Sequence, residues 1–264
     1  MPDILLKALR DQQRGLFWWF VGIVTLMFVT VLLYPSVGAA PEMELLFEDL
    51  PPAIEIFVGE IADITSPEGY LNSQLFALVV PILFMIYCIG QGSGAIAGEE
   101  AAGTMDLLLA NPVPRWVLVL EKFGAMLAGG IVLGLANVVG IAAGVIIVDM
   151  DVSLGRVSET TLGALLVGYL FGALSLLLGA WTGKRGLSIG VSVGVGVATY
   201  LLDGFALLVD WLEPYRYLSP FHYYTNNDPL YNGLDPVDSL VLIVLTAVFV
   251  AGAVFTFQRR DVQV

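Results

Sequence analysis

The stretch 69–98 reads GYLNSQLFALVVPILFMIYCIGQGSGAIAG and contains no aspartate, glutamate, lysine or arginine over thirty residues. A helix of about 20 apolar residues crosses the ~30 Å hydrocarbon core of a bilayer, so this stretch predicts a membrane-spanning helix. Outward from it, five further stretches lack the same four residue types, and the shortest continues as GFALLV after Asp203. These five are 15–41, 123–148, 160–183, 186–202 and 239–258.

The composition excludes an ordinary soluble protein. Of the 264 residues, 58% are hydrophobic and 13% are charged, and the mean hydropathy is +0.85. A soluble domain of this size could not bury so much apolar surface, and a net charge of −13 argues against a nucleic-acid partner. The sequence therefore predicts an all-α polytopic membrane protein, folded as a single transmembrane domain over residues 1–264. We expect its six spans at approximately 16–34, 73–97, 122–148, 160–182, 186–208 and 238–258.

The charges between the apolar stretches differ on the two sides of the membrane. Nine of the eleven basic residues fall on the side that carries both termini, and the positive-inside rule makes that side cytoplasmic. We therefore expect a multi-pass protein of the plasma membrane with both termini in the cytoplasm. The other side carries 17 acidic and two basic residues. This acidic, lysine-poor exterior indicates an organism living in high salt, such as a halophilic archaeon; the alternative is a family with acidic outer loops.

Three segments outside the spans predict local structure. Residues 3–14, DILLKALRDQQR, predict an amphipathic helix lying flat on the inner leaflet, with a merely solvated start of the chain as the alternative. The outer loop 36–68 predicts two short helical pieces separated by Pro51 and Pro52. The segment 203–238 is apolar and aromatic but interrupted by acids and prolines, and it therefore predicts short outer helices before the last span.

Small and polar residues inside the spans indicate how the helices pack. Glycines four apart in the third to fifth spans, such as Gly140 with Gly144 and Gly190 with Gly194, predict close helix crossings. Asn137, near the middle of the third span, either bonds to a neighbouring helix or touches substrate. The spans carry no charge near their middle, which weakens proton coupling and suits an apolar or amphipathic cargo. The substrate-pathway candidates are Gln91, Ser93, Asn137, Thr199 and Tyr200.

The loop between the second and third spans, GEEAAGTMDLLLANPVPRWVLVLEKF at 98–123, predicts a short cytoplasmic helix. Glu99 and Glu100 are placed at its start, where the helix dipole favours acids, and Asn111 and Pro112 end it. We expect such a helix to dock onto a soluble protein. The alternative is a helix lying on lipid, to which acids beside an anionic leaflet fit poorly.

The same run resembles the segment after the second span of ABC transporter permeases of the type-2 exporter class. In that family, glutamates are followed by Gly-Thr, a leucine run, a proline, an arginine and a lysine. The segment YLSPFHYY at 217–224 is similar to the family's Ser-Pro step before the last span, and the six-span order agrees over nearly the whole chain. The chain departs from the commoner pattern at Ala101 and Ala102, where a further charge is frequent. The matching positions are Glu99, Glu100, Gly103, Thr104, Leu107, Leu108, Leu109, Pro112, Arg115 and Lys122.

The resemblance implies a half-transporter. Two copies of the permease would form the pathway, and two copies of a separate ABC ATPase subunit would drive its movement from beneath. ATP and Mg would bind that partner, and this chain would bind no cofactor and catalyse no reaction. The stretch 99–106 would be the coupling helix. The residues expected to couple to the ATPase are Glu99, Glu100, Gly103, Thr104, Met105, Asp106, Leu107, Leu108 and Arg115.

Other chemistry has little support in the sequence. The nearest approach to a P-loop, GAWTGKRG at 179–186, has Arg185 in place of the serine or threonine, so the chain has no ATP site of its own. Two G-x-S-x-G strings lie across the membrane from the single histidine, His222, so catalysis is not expected. One cysteine and one histidine leave no basis for a metal site. The alternatives are a gradient-driven transporter or channel, and a membrane scaffold that only tethers a soluble protein.

Overall fold

The computed structural model describes residues 3–38, 66–105 and 114–260. Within these ranges the chain is helical, with turns between the helices and no strand. Six helices in the described ranges are long and apolar enough to cross a membrane, which confirms the all-α polytopic fold. In chain order, the first to sixth spans are Lys7–Ser36, Pro67–Ala101, Arg115–Val148, Leu154–Thr182, Arg185–Ala206 and Pro236–Arg259.

The first span begins earlier than the apolar stretch that marks it. Asp3–Leu32 is one helix without a break, followed by the single turn Tyr34–Gly38. Residues 3–14 are therefore helical, as expected, but they continue into the first span without a break instead of forming a separate helix. A tertiary contact also holds this segment against the bundle: Gln12 Nε2 donates a hydrogen bond to the Ala125 carbonyl of the third span at 3.4 Å.

The second span is built from several helical pieces. The break before its central piece precedes Pro81, whose missing N–H falls in a first turn, where no intrahelical partner is needed. Ser66 caps the start of the span, since its Oγ accepts a hydrogen bond from Gly69 N at 3.0 Å. The pieces are the α-helix Pro67–Leu71, the π-helix Asn72–Phe76, the α-helix Val79–Ser93, the π-helix Gly94–Gly98 and the last turn Glu99–Ala101.

The third and fourth spans also extend past their apolar stretches, by about two turns at their beginnings. The third begins after Pro114, and the fourth begins after Ser153, whose Oγ accepts a hydrogen bond from Arg156 N at 3.4 Å. An apolar stretch marks only the part of a helix that lies in hydrocarbon, whereas the helix itself continues until a cap or turn ends it.

The fourth span is the centre of the bundle and packs on the second, third, fifth and sixth spans, while the first span packs on the third. Glycines allow the closest crossings. A methyl group at Gly172 would lie 2.8 Å from the Cβ of Cys88, and one at Gly140 would lie 2.8 Å from the Val24 carbonyl oxygen. Both distances are too short for a side chain, so these glycines pack as the spacing predicted. On the fifth span, by contrast, one glycine face is open, with no other atom within 4 Å of a methyl group at Gly186, Gly190 or Gly194.

Short helices fill the segment between the fifth and sixth spans, as the sequence predicted. They are the 3-10 helix Glu213–Leu218, the α-helix Pro220–Thr225 and the π-helix Asp228–Asn232. Asp235 then caps the sixth span, because its Oδ1 accepts a hydrogen bond from Val237 N at 2.7 Å. The helical pieces expected within 36–68 fall largely on residues 39–65, which lie outside the described ranges.

Candidate functional site

One end of the bundle gathers most of the basic residues, and we call it the basic end. It comprises the beginnings of the first, third and fifth spans and the ends of the second, fourth and sixth. The opposite end is called the acidic end. At the basic end, polar side chains from several spans form a group of contacts that we call the basic-end cluster. Its members are Glu99, Glu100, Thr104, Arg115, Lys122 and Arg260.

Glu99 joins the end of the second span to the third span. Lys122 Nζ donates a hydrogen bond to Glu99 Oε1 and forms an ion pair with it. Thr104 Oγ1 donates a second hydrogen bond, to Glu99 Oε2, at 2.5 Å. Glu99 lies in the last turn of the second span, so the expectation that it begins a new helix is wrong. A carboxylate at a helix end meets the negative pole of the dipole, and the Lys122 ammonium offsets that cost.

Arg260 joins the end of the sixth span to the second and fourth. Its Nη2 donates a hydrogen bond to Glu100 Oε2 within an ion pair. Its Nη1 donates to the carbonyl oxygens of Gly179 at 3.3 Å and Ala180 at 2.8 Å. Both carbonyls belong to the last turn of the fourth span, where the guanidinium adds hydrogen bonds to the helix end. The Gly179 carbonyl also accepts a hydrogen bond from Gly183 N at 2.9 Å. Glu100 Oε1 is buried and has no hydrogen-bond partner among the described residues.

Arg115 adds a further link at the beginning of the third span. Its Nη1 donates hydrogen bonds to the carbonyl oxygens of Phe257 at 3.1 Å and Arg260 at 2.6 Å. The guanidinium also lies 5.4 Å from the centre of the Phe257 ring. The third and sixth spans are thereby held together at the point where the third span begins.

A cleft runs between the first and second spans, and it contains two adjoining cavities. We call the cavity of about 400 Å³ near the basic end the polar chamber, and the cavity of about 340 Å³ further along the apolar groove. Trp19 lines both. The chamber includes Asp11, Gln12, Tyr87, Gln91, Glu99, Lys122 and Arg185 in its wall, and the groove is lined by Trp18, Trp19, Gly22, Ile23, Leu26 and Leu83.

Few contacts bridge this cleft within the described residues. Tyr87 OH donates a hydrogen bond to Gln12 Oε1 at 2.9 Å, and the Tyr87 and Trp19 rings meet edge to face with centroids 6.3 Å apart. Toward the acidic end, Tyr70 OH donates to the Thr30 carbonyl at 2.8 Å. The first span packs mainly on the third and the second on the fourth, which leaves room between these two helix pairs.

Comparison with known proteins identifies the family. The model of a family described as "ABC-2 family transporter protein" matches residues 4–262. The chain belongs to the ABC-2 transporter family. It is 27% identical over 221 residues to a "Probable ABC transporter permease protein NosY" of Pseudomonas aeruginosa, covering 81% of this chain and 72% of that protein. It is 25% identical over 213 residues to a protein of the same name from Stutzerimonas stutzeri, covering 78% of this chain and 68% of that one.

The family match supports the prediction made from the loop motif. This ABC-2 protein is a multi-pass membrane permease subunit of an ABC transporter, and such a family implies an ATPase partner. The matched range contains all six spans and the whole basic-end cluster. The family model therefore also matches the described residues on both sides of the loop, up to 105 and from 114.

Only part of the expected coupling segment can be placed in the permease. Ala101 and Gly103 are exposed, and Gly103 turns the chain in the left-handed region with φ of 66°, which favours glycine. Met105 is buried in a cluster with Ile96 and Leu118, so it anchors the turn rather than facing outward. Asp106, Leu107 and Leu108 lie outside the described residues.

The five substrate-pathway candidates do not converge. Gln91 lines the polar chamber. Ser93 is buried, and its hydroxyl donates a hydrogen bond to the Gly90 carbonyl of its own helix. The Thr199 hydroxyl likewise donates a hydrogen bond within its own helix, to the Val195 carbonyl. Asn137 Nδ2 donates to Thr161 Oγ1 at 2.8 Å, which joins the third and fourth spans. The Tyr200 ring packs against Phe221 with centroids 5.2 Å apart.

Most of the polar chamber was not predicted from the sequence. Asp11 and Gln12 belong to the segment expected on the membrane surface, and Arg185 looks like an ordinary loop charge. The signal that could have found them is the helical phase of the first span. Ala8, Asp11, Gln12 and Gly15 recur at spacings of three and four, which places them on one face when the helix continues into the span.

A second polar group lies at the acidic end. Arg216 Nε donates a hydrogen bond to Asp203 Oδ1 at 2.8 Å, which ties the short helices to the end of the fifth span. His222 is buried between the Tyr217 and Tyr223 rings, whose centroids lie 4.9 and 5.3 Å away. Burial, with a smaller contribution from the Arg216 charge, lowers the pKa of His222 below its ordinary value. In the described part of the chain, no three His, Cys, Asp or Glu side chains are grouped to hold a metal ion.

Proposed function

We propose that this permease is the membrane subunit of an ATP-driven exporter, working as a homodimer with a separate ATPase subunit that binds ATP and Mg. The observation that carries the proposal is the basic-end cluster. It connects the end of the second span, from which the loop leaves, to the ends of the fourth and sixth spans through Glu100 and Arg260. A push on that loop would therefore reach several spans at once.

The proposed coupling surface begins at the exposed turn 101–103 and continues through Asp106, Leu107 and Leu108. Gly103 lets the chain leave the second span sharply, and the buried Met105 side chain fixes the far side of the turn. In this proposal Glu99, Glu100, Thr104 and Arg115 do not themselves face the ATPase. They transmit its movement, because their partners lie on other spans or in the same turn.

The basic end is proposed to face the cytoplasm, since it carries most of the lysines and arginines and cytoplasmic loops are enriched in them. The acidic end would then face outward. Its excess of acidic residues supports an origin in a high-salt organism, because dense negative charge on an exterior is tolerated when salt screens it. Purified protein that stayed monodisperse and folded without molar salt would contradict this part of the proposal.

The open glycine face of the fifth span supports the homodimer. Gly186, Gly190 and Gly194 are exposed, and a methyl group at any of them would meet nothing within 4 Å. Small residues four apart let helix backbones approach closely in a bilayer, and within the described residues this face meets no helix of its own chain. In a two-fold dimer, residues near the axis meet their own copies. A cysteine at Gly190, in a Cys88→Ser background, should therefore form an intermolecular disulfide.

The proposed function is tested by affinity purification from native membranes in mild detergent and high salt. We expect a stoichiometric soluble subunit with a Walker motif and ATP hydrolysis in the eluate. A spin label at Ala102→Cys, again in Cys88→Ser, should lose mobility when that subunit docks and change again on ATP addition. A label at the exposed Ala247→Cys of the sixth span is the matched control. A clean chain with no nucleotide response, from a complex shown to survive extraction, would favour a gradient-driven transporter, channel or scaffold.

A further inference from the structure

We propose that the cleft binds a zwitterionic phospholipid of the leaflet at the basic end, with its head group in the polar chamber and its chain in the apolar groove. The proposal names the substrate class of the transporter and in that respect rests on the proposed function. The binding step itself requires only this chain.

Polarity changes in one direction along the cleft. On the first span, residues facing the cleft change from Asp11 and Gln12, through Trp19, to Ile23 and Leu26. On the second span, Gln91 and Tyr87 face the chamber, and Leu83, further from the basic end, faces the groove. Both helices thus turn from polar to apolar in the same direction, as a membrane lipid does from head group to chain.

The dimensions of the cleft also fit a lipid. From Ala8 to Leu26 the first span rises about 27 Å, at 1.5 Å per residue. One leaflet with its head groups is roughly 20 Å thick, half of a typical bilayer. The cleft is long enough for one lipid, and each cavity falls within the range of about 300 to 1,000 Å³ that is usual for ligand pockets.

The charges in the chamber wall suit a zwitterionic head group. Glu99 and Lys122 neutralise each other in an ion pair. Asp11 and Arg185 line the same chamber, and neither makes an ion pair within the described ranges. Arg185 can therefore receive a phosphate, and Asp11 an ammonium group. Gln91, which makes no side-chain hydrogen bond within the described residues, adds an uncharged donor and acceptor.

The groove is open to the surrounding hydrocarbon. Trp18 is 71% exposed and Leu26 is 42% exposed, so the groove opens on the side of the bundle that faces lipid. Near the middle of the cleft, Tyr87 of the second span contacts Gln12 and Trp19 of the first. A lipid could enter sideways between the first and second spans without its chain crossing water.

The test uses the purified permease without any ATPase, in nonionic detergent, titrated with lysophosphatidylethanolamine whose chain carries bromine. Bromine quenches a tryptophan that it contacts, and Trp18 and Trp19 line the groove. We expect saturable quenching that is lost in the double variant Trp18→Phe and Trp19→Phe. Arg185→Gln should raise the Kd about tenfold, through loss of a charge-assisted hydrogen bond. Gly22→Leu should also raise it, because the new side chain would enter the groove.

Ala247→Leu is the matched control for Gly22→Leu, since it adds a leucine at an exposed position of the sixth span. It should leave the Kd unchanged, and all variants should elute and melt like the parent. The proposal is overturned if brominated monoacylglycerol binds equally well, if Arg185→Gln and Gly22→Leu change nothing, or if phosphoethanolamine without a chain competes as strongly. Co-purification of the ATPase is measured separately, so its failure would count against the proposed function and not against lipid binding.

Discussion

Arg260 and Glu100 are 160 positions apart in sequence and form an ion pair at the basic end. The pair joins the end of the sixth span to the end of the second, and the same guanidinium also caps the fourth span through the Gly179 and Ala180 carbonyls. Three helix ends thus share one side chain. Both partners are largely buried, with side-chain exposures of 21% for Arg260 and 13% for Glu100. Removing either partner would therefore leave the other charge buried without a counter-charge.

Loss of this pair should destabilise the permease. Arg260→Gln should lower the free energy of unfolding by about 3 kcal/mol, since it leaves the Glu100 carboxylate buried without its counter-charge. Adding Glu100→Gln should restore part of that loss, because the unpaired charge is removed. Thermal unfolding in detergent measures both. Arg259→Gln is the control, because Arg259 is exposed and stacks on Phe255. If it lowered the free energy of unfolding as much as Arg260→Gln does, the effect of Arg260→Gln would not come from the ion pair with Glu100.

The same pair should also matter for coupling. The Glu100→Gln and Arg260→Gln double variant should still bind the ATPase, because neither residue faces outward at the proposed docking turn. Its ATP-dependent change in mobility at Ala102 should be reduced, since the link to the fourth and sixth spans is gone. Loss of ATPase binding instead would place these residues at the docking surface itself, as the sequence motif predicts.

Two roles that the sequence leaves open for Asn137 can be separated by mutation. Its side chain is fully buried and donates to Thr161 on the fourth span. Asn137→Leu and Thr161→Val should each lower the free energy of unfolding by about 1 kcal/mol. The double variant should lower it no further, because each substitution removes the same interhelical hydrogen bond. Additive losses measured by thermal unfolding would contradict the pairing. A change in substrate binding with stability intact would favour a place in the pathway.

These residues show what the sequence could and could not predict. The spans were predictable because a bilayer requires long apolar helices, and the glycines at 140 and 172 because close crossings need small residues. The partners of Glu99 and Glu100 were not, since they depend on where the third and sixth spans begin and end. The polar chamber was missed for a related reason: charged residues at 11 and 185 look like surface residues until the first span is seen to begin before residue 11.

Two glycines of the same spacing pattern should respond differently to alanine. Gly172→Ala should destabilise the permease by about 1 to 3 kcal/mol, because the methyl group would meet Cys88 and Met126 at 2.8 and 2.7 Å. Gly190→Ala, on the open face of the fifth span, should be neutral or slightly stabilising for the monomer. Thermal unfolding under conditions that keep the protein monomeric makes the comparison. Equal destabilisation by both would mean that Gly190 packs within the chain.

His222 should give the stability of the permease a pH dependence. Its pKa lies below the ordinary value of 6.5, because burial and the Arg216 charge disfavour the protonated form, while Asp203 and Asp238 oppose the shift only in part. Between the lowered pKa and 6.5, the unfolded chain holds more protons on this side chain than the folded chain does. The free energy of unfolding should therefore rise with pH across that window. Above the window the contribution of His222 to that free energy should stay constant, and below the window the contribution should be at its lowest.

Thermal unfolding of the purified permease from about pH 4.5 to 8 would measure this dependence. His222→Gln removes the titrating group and should flatten the part of the curve just below pH 6.5, with aspartates and glutamates still titrating at lower pH. Tyr217→Phe is the matched control, since it keeps a ring against the imidazole and leaves the titration in place. A curve that rises toward acid in the parent, or an unchanged slope in His222→Gln, would show that another group governs stability there.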